Sequence, residues 1–383
     1  MGEVIPTLGV GLVGHAFMGA AHSQAWRTAG RVFDLPLAPV LAALCGRDRD
    51  RTAAAAQRLG WAEVETDWKE LVRREDVALV DICTPGDSHA EIAIAALEAG
   101  KHVLCEKPLA NTVEQAIAMT AAAERARAQG VRAMVGFNYR RVPALALARQ
   151  LIADGRLGVI HHVRAAYLQD WLADPAFPLT WRMDKERAGS GALGDLGAHI
   201  VDLAQFLTGE QLTGVCAVSE TFVGERPLPG GEGVGPVTVD DATLFLARFT
   251  GGAIGTFEAS RFAAGRKNSL RIELNGSAGS IAFDLEALNE LRFHDHREDP
   301  AMAGFRRILV TEPTHPYLSA WWPPGHLLGY EHTFTHQVKD LVQAVGDRVD
   351  PIPSFADGLQ VQQVLAAVER SAGNASCWEG VSR

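Results

Sequence analysis

The sequence predicts two domains: an α/β domain with a doubly wound, mostly parallel sheet over residues 1–136, and an α+β domain with an open, largely antiparallel sheet over residues 137–383. Three observations carry this reading. Short apolar strands alternate with helical runs through the first third of the chain, and a glycine-rich stretch, Gly9-Val-Gly11-Leu-Val-Gly14, joins the first strand to the first helix. After the helical run Leu147–Asp154, strand candidates follow one another with few helices between them. The length of 383 residues also exceeds what one ordinary hydrophobic core organises.

In chain order, the apolar strand Thr7–Val13 runs through the glycines into a helix from about His15 to Ala29. In that context the first glycine is expected to permit a tight turn and the second to let backbone approach a pyrophosphate. The third lets the helix pack on the strand while its first N–H groups face the phosphates. Dinucleotide contacts are therefore expected at Gly9, Gly11 and Gly14. The second strand, Val40–Cys45, ends in Gly46-Arg47-Asp48. A binder of the unphosphorylated cofactor usually places an acid here for the ribose hydroxyls. Gly46 holds that slot, and Arg47 beyond it suits a 2′-phosphate, which tilts the choice towards NADP. The inserted segment Phe33–Pro39 and the nearby Asp48 keep NAD open as well.

Trp61–Val72 supplies a further short unit, and Ala78–Cys83 a buried strand followed by Thr84-Pro-Gly-Asp-Ser-His89. Pro85 fixes a turn there, and Ser88-His-Ala-Glu91 reads as a capping box opening the helix Ile92–Ala99. Gly100 stops that helix, and the short strand His102–Cys105 ends by presenting Glu106, Lys107 and Pro108 together. In open α/β sheets ligands bind outside the carboxyl ends of the strands, so Lys107 is expected where cofactor and substrate meet. Helix Val113–Gln129 and strand Arg132–Gly136 complete a six-stranded alternating unit.

In the second half the expected strands are Ile160–Gln169, Val215–Val223, Ala242–Phe249, Ile254–Arg261, Leu270–Asn275, Ser280–Asp284 and Glu290–Asp295, with helices at Asp195–Leu207, His332–Val345 and Ala356–Ser371. Asn275-Gly276 signals a hairpin, and Glu225–Pro236, rich in Pro and Gly, reads as a mobile loop. Gly194-Asp-Leu-Gly-Ala-His199 carries the second chemical cluster. Asp195 and His199, four apart, share a helix face, and Gly189-Ser-Gly191 lets that helix start approach another surface closely. The pairs His332/His336 and His294/His296 have no third ligand in view, so no metal site is expected.

Composition narrows the partners. A net charge of −10 with no basic block argues against nucleic acid and anionic membrane surfaces, which leaves a small-molecule ligand. No apolar run is long enough to span a bilayer, and Val4–Val13 lacks a basic flank and a cleavage site, so a cytoplasmic protein is expected. Cys45, Cys83, Cys105, Cys216 and Cys377 show no metal or redox spacing and read as reduced core residues.

Taken together, Gly9-x-Gly11-x-x-Gly14, Thr84-Pro85 with His89, Glu106-Lys107-Pro108, Trp181-Arg182 and Gly191-Ala-Leu-Gly-Asp195-Leu-Gly-Ala-His199 with Asp202 resemble the glucose-fructose oxidoreductase / inositol dehydrogenase (Gfo/Idh/MocA) family over nearly the whole chain. Gly136-Phe-Asn-Tyr-Arg-Arg141, Tyr167-Leu-Gln-Asp-Trp171, Leu179–Arg182 and Pro353–Gln360 are most similar to its levoglucosan dehydrogenase-like branch. The resemblance implies an NAD(P)-binding Rossmann domain, hydride transfer between NAD(P) and a hydroxyl of a sugar, anhydrosugar or cyclitol, and a homo-oligomer built through the open sheet. It implies Lys107, Asp195 and His199 as catalytic residues, and a cis bond before Pro108. Cofactor contacts are implied at Phe17, Met18, Arg47, Thr84, Pro85, His89, Glu106, Lys107, Trp181 and Arg182. Substrate contacts are implied at Lys107, Asn138, Tyr139, Gln169, Asp195 and His199. The chemistry agrees: oxidising an alcohol needs a base for the hydroxyl proton, and an unperturbed imidazole titrates near ~6.5. A cation beside the oxygen stabilises developing alkoxide. Two other readings use the same fold: a silent sugar-responsive regulator, and a glycosidase-like enzyme that oxidises its substrate transiently.

Overall fold

The computed structural model describes residues 5–382, so Val4, where the apolar N-terminal run begins, lies outside the described residues. The first stretch of chain forms β1 (Thr7–Val13), α1 (Phe17–Val32), β2 (Ala38–Cys45), α2 (Arg49–Leu59), β3 (Glu63–Glu65), α3 (Trp68–Arg73), β4 (Leu79–Ile82), α4 (His89–Glu98), β5 (His102–Cys105), α5 (Val113–Arg127) and β6 (Ala133–Val135). Their strands make one parallel sheet in the order β3-β2-β1-β4-β5-β6. The helices start where side chains satisfy their first N–H groups. Asp48 accepts from Arg51, Asp67 from Lys69 and Thr112 from Gln115.

The second stretch forms α6 (Pro143–Ala153), β7 (Ile160–Leu168), α7 (Lys185–Ala188), α8 (Ala198–Thr208), β8 (Leu212–Glu220), β9 (Glu225–Pro227), β10 (Val234–Pro236), β11 (Ala242–Phe249), β12 (Ile254–Ser260), β13 (Ser269–Gly276), β14 (Gly279–Asp284), β15 (Glu290–Asp295) and β16 (Arg306–Leu309). Helices α9 (Tyr330–Asp347) and α10 (Phe355–Gly373) and the short β17 (Glu379–Gly380) complete the chain. A nine-stranded sheet runs β16-β15-β14-β13-β7-β12-β11-β8-β17, parallel only between β7 and β12. Along β11 inward Thr243, Phe245, Ala247 and Phe249 are buried, while Leu244 and Leu246 face outward and are exposed. The hairpin signalled by Asn275-Gly276 forms between β13 and β14, with Ser277-Ala278 at its tip and Asn275 opposite Ser280. The Pro/Gly stretch 225–236, expected as a mobile loop, instead closes into the β9–β10 hairpin, with Gly235 opposite Arg226. Arg226 is fully buried there and donates to the carbonyls of Leu172, Asp174 and Phe177.

By contacts the chain divides into residues 1–141 with 329–359, and residues 142–328 with 360–383. This differs from a division at 136/137. Helix α9 sends Phe334, Val338, Leu341 and Val342 into the same core as Leu8, Trp26 and Leu44, so the return segment belongs with the parallel sheet. Of the cysteines, Cys45 and Cys105 are buried but Cys377 is exposed, so it is no core residue; all five are free thiols. No helix among the described residues is long and apolar enough to cross a membrane.

His336 on α9 is fully buried, 3.0 Å from the Arg141 carbonyl to which its Nδ1 donates. Burial lowers its pKa to about 4. The folded state therefore refuses a proton that the unfolded chain accepts near ~6.5, and stability is full above that pH and lost as pH falls towards 4. The expected loss is on the order of 3 kcal/mol. Urea denaturation at pH 7 and pH 4.5 should show it, and His336→Gln, which can keep the bond to Arg141, should reduce the difference.

Candidate active site

The glycine turn settles in a different register from the one its spacing suggests. Gly9 and Gly11 lie inside β1. A Cβ on Gly9 would come 1.8 Å from the Asp76 carbonyl oxygen, and one on Gly11 would come 2.7 Å from Leu71 Cδ2. Neighbouring segments press on the strand at both positions, which by itself requires glycine there. The tight turn is at Gly14, with φ +96°, and the close approach is at Gly19, whose Cβ would lie 2.0 Å from the Gly14 carbonyl. The turn and close approach that the glycine spacing predicts thus fall on Gly14-His-Ala16-Phe-Met-Gly19, with alanine at its middle small position. Ala16 caps α1 without a side-chain bond and the first turn carries no acid, so neither the cap nor the first turn occupies the N–H groups at the start of α1. Uncapped, acid-free and closely seated on the strand end, this helix start fits a pyrophosphate. Phe17 is 66% exposed and stacks near Tyr330, whereas Met18 packs against the core.

At the end of β2, a Cβ on Gly46 would come 2.5 Å from Thr52 Oγ1 and 2.6 Å from the His15 ring. These two side chains, 3.2 Å apart, explain the missing acid at that slot. Asp48 is the N-cap of α2, which employs its carboxylate on the Arg51 N–H at 3.0 Å. Arg47 is exposed.

Beyond β4 the expected capping box is absent. Ser88 Oγ donates to the Pro85 carbonyl at 2.9 Å and lies 2.7 Å from the Thr84 hydroxyl, and a 3₁₀ turn, Gly86–Ser88, leads into α4. His89 is buried, with Nδ1 3.0 Å from the Pro108 carbonyl and Nε2 2.9 Å from the Thr84 carbonyl. It staples the two strand-end turns together. Glu106 is buried and accepts the Lys107 main-chain N–H at 3.2 Å, while Lys107 is half-buried and its bond to Pro108 is cis. Asn138 and Tyr139, expected at the substrate, are each 3% exposed. Asn138 donates to Thr333 at 2.8 Å and the Tyr139 ring meets Tyr330 edge-on, so both work inside the packing around α9.

In the other unit Gly191 presses on the Asp240 backbone, where a Cβ would come 1.8 Å from the carbonyl oxygen. The Asp240 carboxylate takes the Gly191 N–H at 2.7 Å and the Leu193 N–H at 2.8 Å. From this grip the chain enters a π-helical turn, Leu193–Gly197, rather than a plain helix start, and continues as α8. Asp195 lies in the π turn. Its Oδ2 accepts from Arg261 at 3.0 Å. Arg261 is 1% exposed, donates also to the Arg182 carbonyl at 3.3 Å and lies 5.3 Å over the Trp171 ring. His199, in the first turn of α8, is 6% exposed with the Tyr167 ring edge-on at 5.8 Å, and Asp202 is buried one turn on. Gln169 accepts from the Trp171 indole at 2.9 Å and donates to Asn268 at 2.7 Å, which also accepts the Tyr167 hydroxyl at 2.7 Å. Arg182 sits 4.6 Å over the Trp181 ring. Sequence reading missed Arg261, Asp240 and Asn268. Only Arg261 had a signal, standing at the end of an expected strand.

Comparison with known proteins bears on the whole chain. Residues 8–137 match the oxidoreductase family with an NAD-binding Rossmann fold (GFO_IDH_MocA), and residues 145–282 match the GFO/IDH/MocA C-terminal domain. The levoglucosan dehydrogenase of Pseudarthrobacter phenanthrenivorans is 43% identical, covering 96% of this chain and 97% of that protein. The crystal structure of an oxidoreductase domain protein from Kribbella flavida superposes with a TM-score of 0.97 at 67% identity, covering 99% of this chain and all of that one. A levoglucosan dehydrogenase in complex with NADH and levoglucosan superposes with a TM-score of 0.94 at 42% identity, over 98% of this chain and 99% of that one.

Proposed function

The chain belongs to the GFO/IDH/MocA oxidoreductase family, and from that premise we propose that it is an NAD(P)-dependent dehydrogenase of a sugar or anhydrosugar hydroxyl, with cyclitols as the neighbouring substrate class. The observation that carries the reading is the pairing, in one chain, of the uncapped Gly14–Gly19 helix start with a buried His199 beside an Asp195 oriented by Arg261. The nicotinamide, when bound, supplies the hydride acceptor. The helix start of α1 and the Gly14 turn hold the pyrophosphate, and Thr84, Pro85 and Glu106 shape the strand ends beside it. His199 takes the hydroxyl proton as the carbon gives up its hydride, and the Lys107 ammonium stabilises the charge developing on that oxygen. Asp195, fixed by Arg261, orients a sugar hydroxyl, and Gln169 offers a further polar contact. Trp181 and Arg182 flank the nicotinamide end.

Levoglucosan is the first substrate to test, given the relative at 43% identity and the NADH–levoglucosan complex of a structural neighbour. A screen of anhydrosugars, hexoses, glycosides and inositols with NAD and NADP, followed by nicotinamide absorbance, decides the reading. Substrate-dependent NAD(P)H formation is expected. No absorbance change with any polyol would favour a silent regulator, and cleavage without net NAD(P)H a glycosidase-like step. NAD is the cofactor to test first, because the neighbour's complex holds NADH. If Arg47 does meet a 2′-phosphate, Arg47→Ala should weaken NADP binding more than NAD binding in parallel titrations; an equal change makes it a bystander.

The outward face of the nine-stranded sheet leaves Val218, Leu244, Leu246 and Ile254 exposed, which suits a homo-oligomer through that face. Five free thiols suit a reducing cytoplasm.

A further inference from the structure

Behind the Glu106-Lys107-Pro108 turn lies a buried ionic cluster that the proposed reaction does not use. His22 on α1 is 1% exposed, and both its ring nitrogens face carboxylates. Nδ1 lies 3.0 and 2.9 Å from the two oxygens of Asp81, and Nε2 lies 3.0 Å from Oε1 of Glu106. A neutral imidazole donates from one nitrogen only, so it would leave one carboxylate oxygen facing a lone pair. The other partners show which groups carry the protons. Asp81, fully buried, also accepts the Trp26 indole N–H at 2.7 Å and the Cys83 thiol at 3.6 Å, and Glu106 Oε2 accepts the Lys107 N–H at 3.2 Å. These are all donors, and since an imidazole is more basic than a carboxylate, the proton between Nε2 and Oε1 is assigned to the ring.

We infer that His22 is a doubly protonated positioning residue, clamped between Asp81 and Glu106, that fixes the Glu106 carboxylate and through it the main chain of Lys107. The clamp ties the first helix, whose start is proposed to hold the pyrophosphate, to the turn that presents Lys107. Gly136 leaves room for it, since a Cβ there would come 2.8 Å from Glu106 Oε1. Burial by itself pushes the His22 ring towards neutrality, yet Asp81 beside it holds its proton well above the ordinary imidazole range. The groups facing the ring are Asp81, Cys83, Glu106 and the Phe334 ring at 5.3 Å. His22, Asp81 and Cys83 are also the one group among the described residues whose ligand-type atoms lie within 4.8 Å of one another. A metal there would have to displace the imidazolium proton and ionise a thiol that burial and Asp81 push upward, so the cluster reads as a proton-filled clamp.

The positioning role rests on Lys107 being catalytic; the protonation state does not. Nitrogen-15 NMR of the full chain labelled at histidine, from pH 6 to 9, should show His22 with both ring nitrogens protonated and no titration step. A neutral ring at pH 8 overturns the inference whatever the kinetics show. His22→Gln keeps a donor but no charge, and it should lower kcat by about tenfold or more while the NADH dissociation constant stays within about threefold. A parallel fall in NADH affinity and kcat, or an unchanged kcat, overturns the positioning role. Wild-type turnover in Lys107→Ala would instead sink the catalytic reading of Lys107 and leave the NMR result standing.

Discussion

Replacing His199 by alanine should cut turnover on the order of 10²-fold or more and leave cofactor affinity nearly unchanged. A base that takes the hydroxyl proton acts in the transition state, so its loss falls on kcat and not on the dinucleotide, whose proposed contacts lie on other residues. The pH profile gives a second reading. A histidine base is silenced at low pH by its own proton, so the acid limb of the rate profile should vanish in His199→Ala. It should persist in Lys107→Ala, which is expected to lose a comparable factor by removing a cation from the developing alkoxide. Stopped-flow turnover with fluorescence titration of NADH on both variants checks this. Near-normal turnover in His199→Ala, or a loss of NADH affinity in step with activity, would make the histidine structural, packed as it is against Tyr167.

How much of this was legible in the sequence depends on whether a residue's task is local or tertiary. Strand Glu290–Asp295 begins and ends where its alternation of apolar and polar residues does, because a half-buried strand writes its own period into the chain, whereas Ala242–Phe249 is legible only as a nearly continuous apolar run. The hairpin at 225–236 was hidden because Pro and Gly composition reports flexibility, while its order comes from a buried arginine bonded to three distant carbonyls. The periodicity of α9 showed an apolar face but not which sheet would cover it, and so the segment 329–359 was assigned to the wrong neighbours. In the candidate site, Lys107 stood out at a strand end and Asp195 and His199 stood out four apart, while their catalytic roles came only from the family resemblance. Their supports, Arg261 on Asp195 and Asp240 on the π turn, were not visible, since an ion pair between residues 66 positions apart leaves no local pattern.

The glycines give the sharpest separation between a pattern and its physical cause. Gly9-x-Gly11-x-x-Gly14 satisfies the dinucleotide spacing, yet its first two members are squeezed by Asp76 and Leu71 within the sheet, whereas Gly19 is squeezed by the Gly14 carbonyl at the mouth of the turn. Gly19→Val should therefore lower NADH affinity on the order of 10²-fold, equivalent to about 2.7 kcal/mol. A Cβ 2.0 Å from a backbone oxygen leaves no side chain to yield, so α1 must shift off the strand end and carry its first N–H groups away from the phosphates. Gly9→Ala meets the Asp76 carbonyl instead and should lower the melting temperature of the protein, while the folded fraction binds NADH normally. Calorimetric titration with NADH and a thermal melt on each variant distinguish the two. If Gly9→Ala loses NADH while Gly19→Val keeps it, the cofactor turn lies where the spacing first put it, and the assignment of the α1 start as the pyrophosphate site is lost.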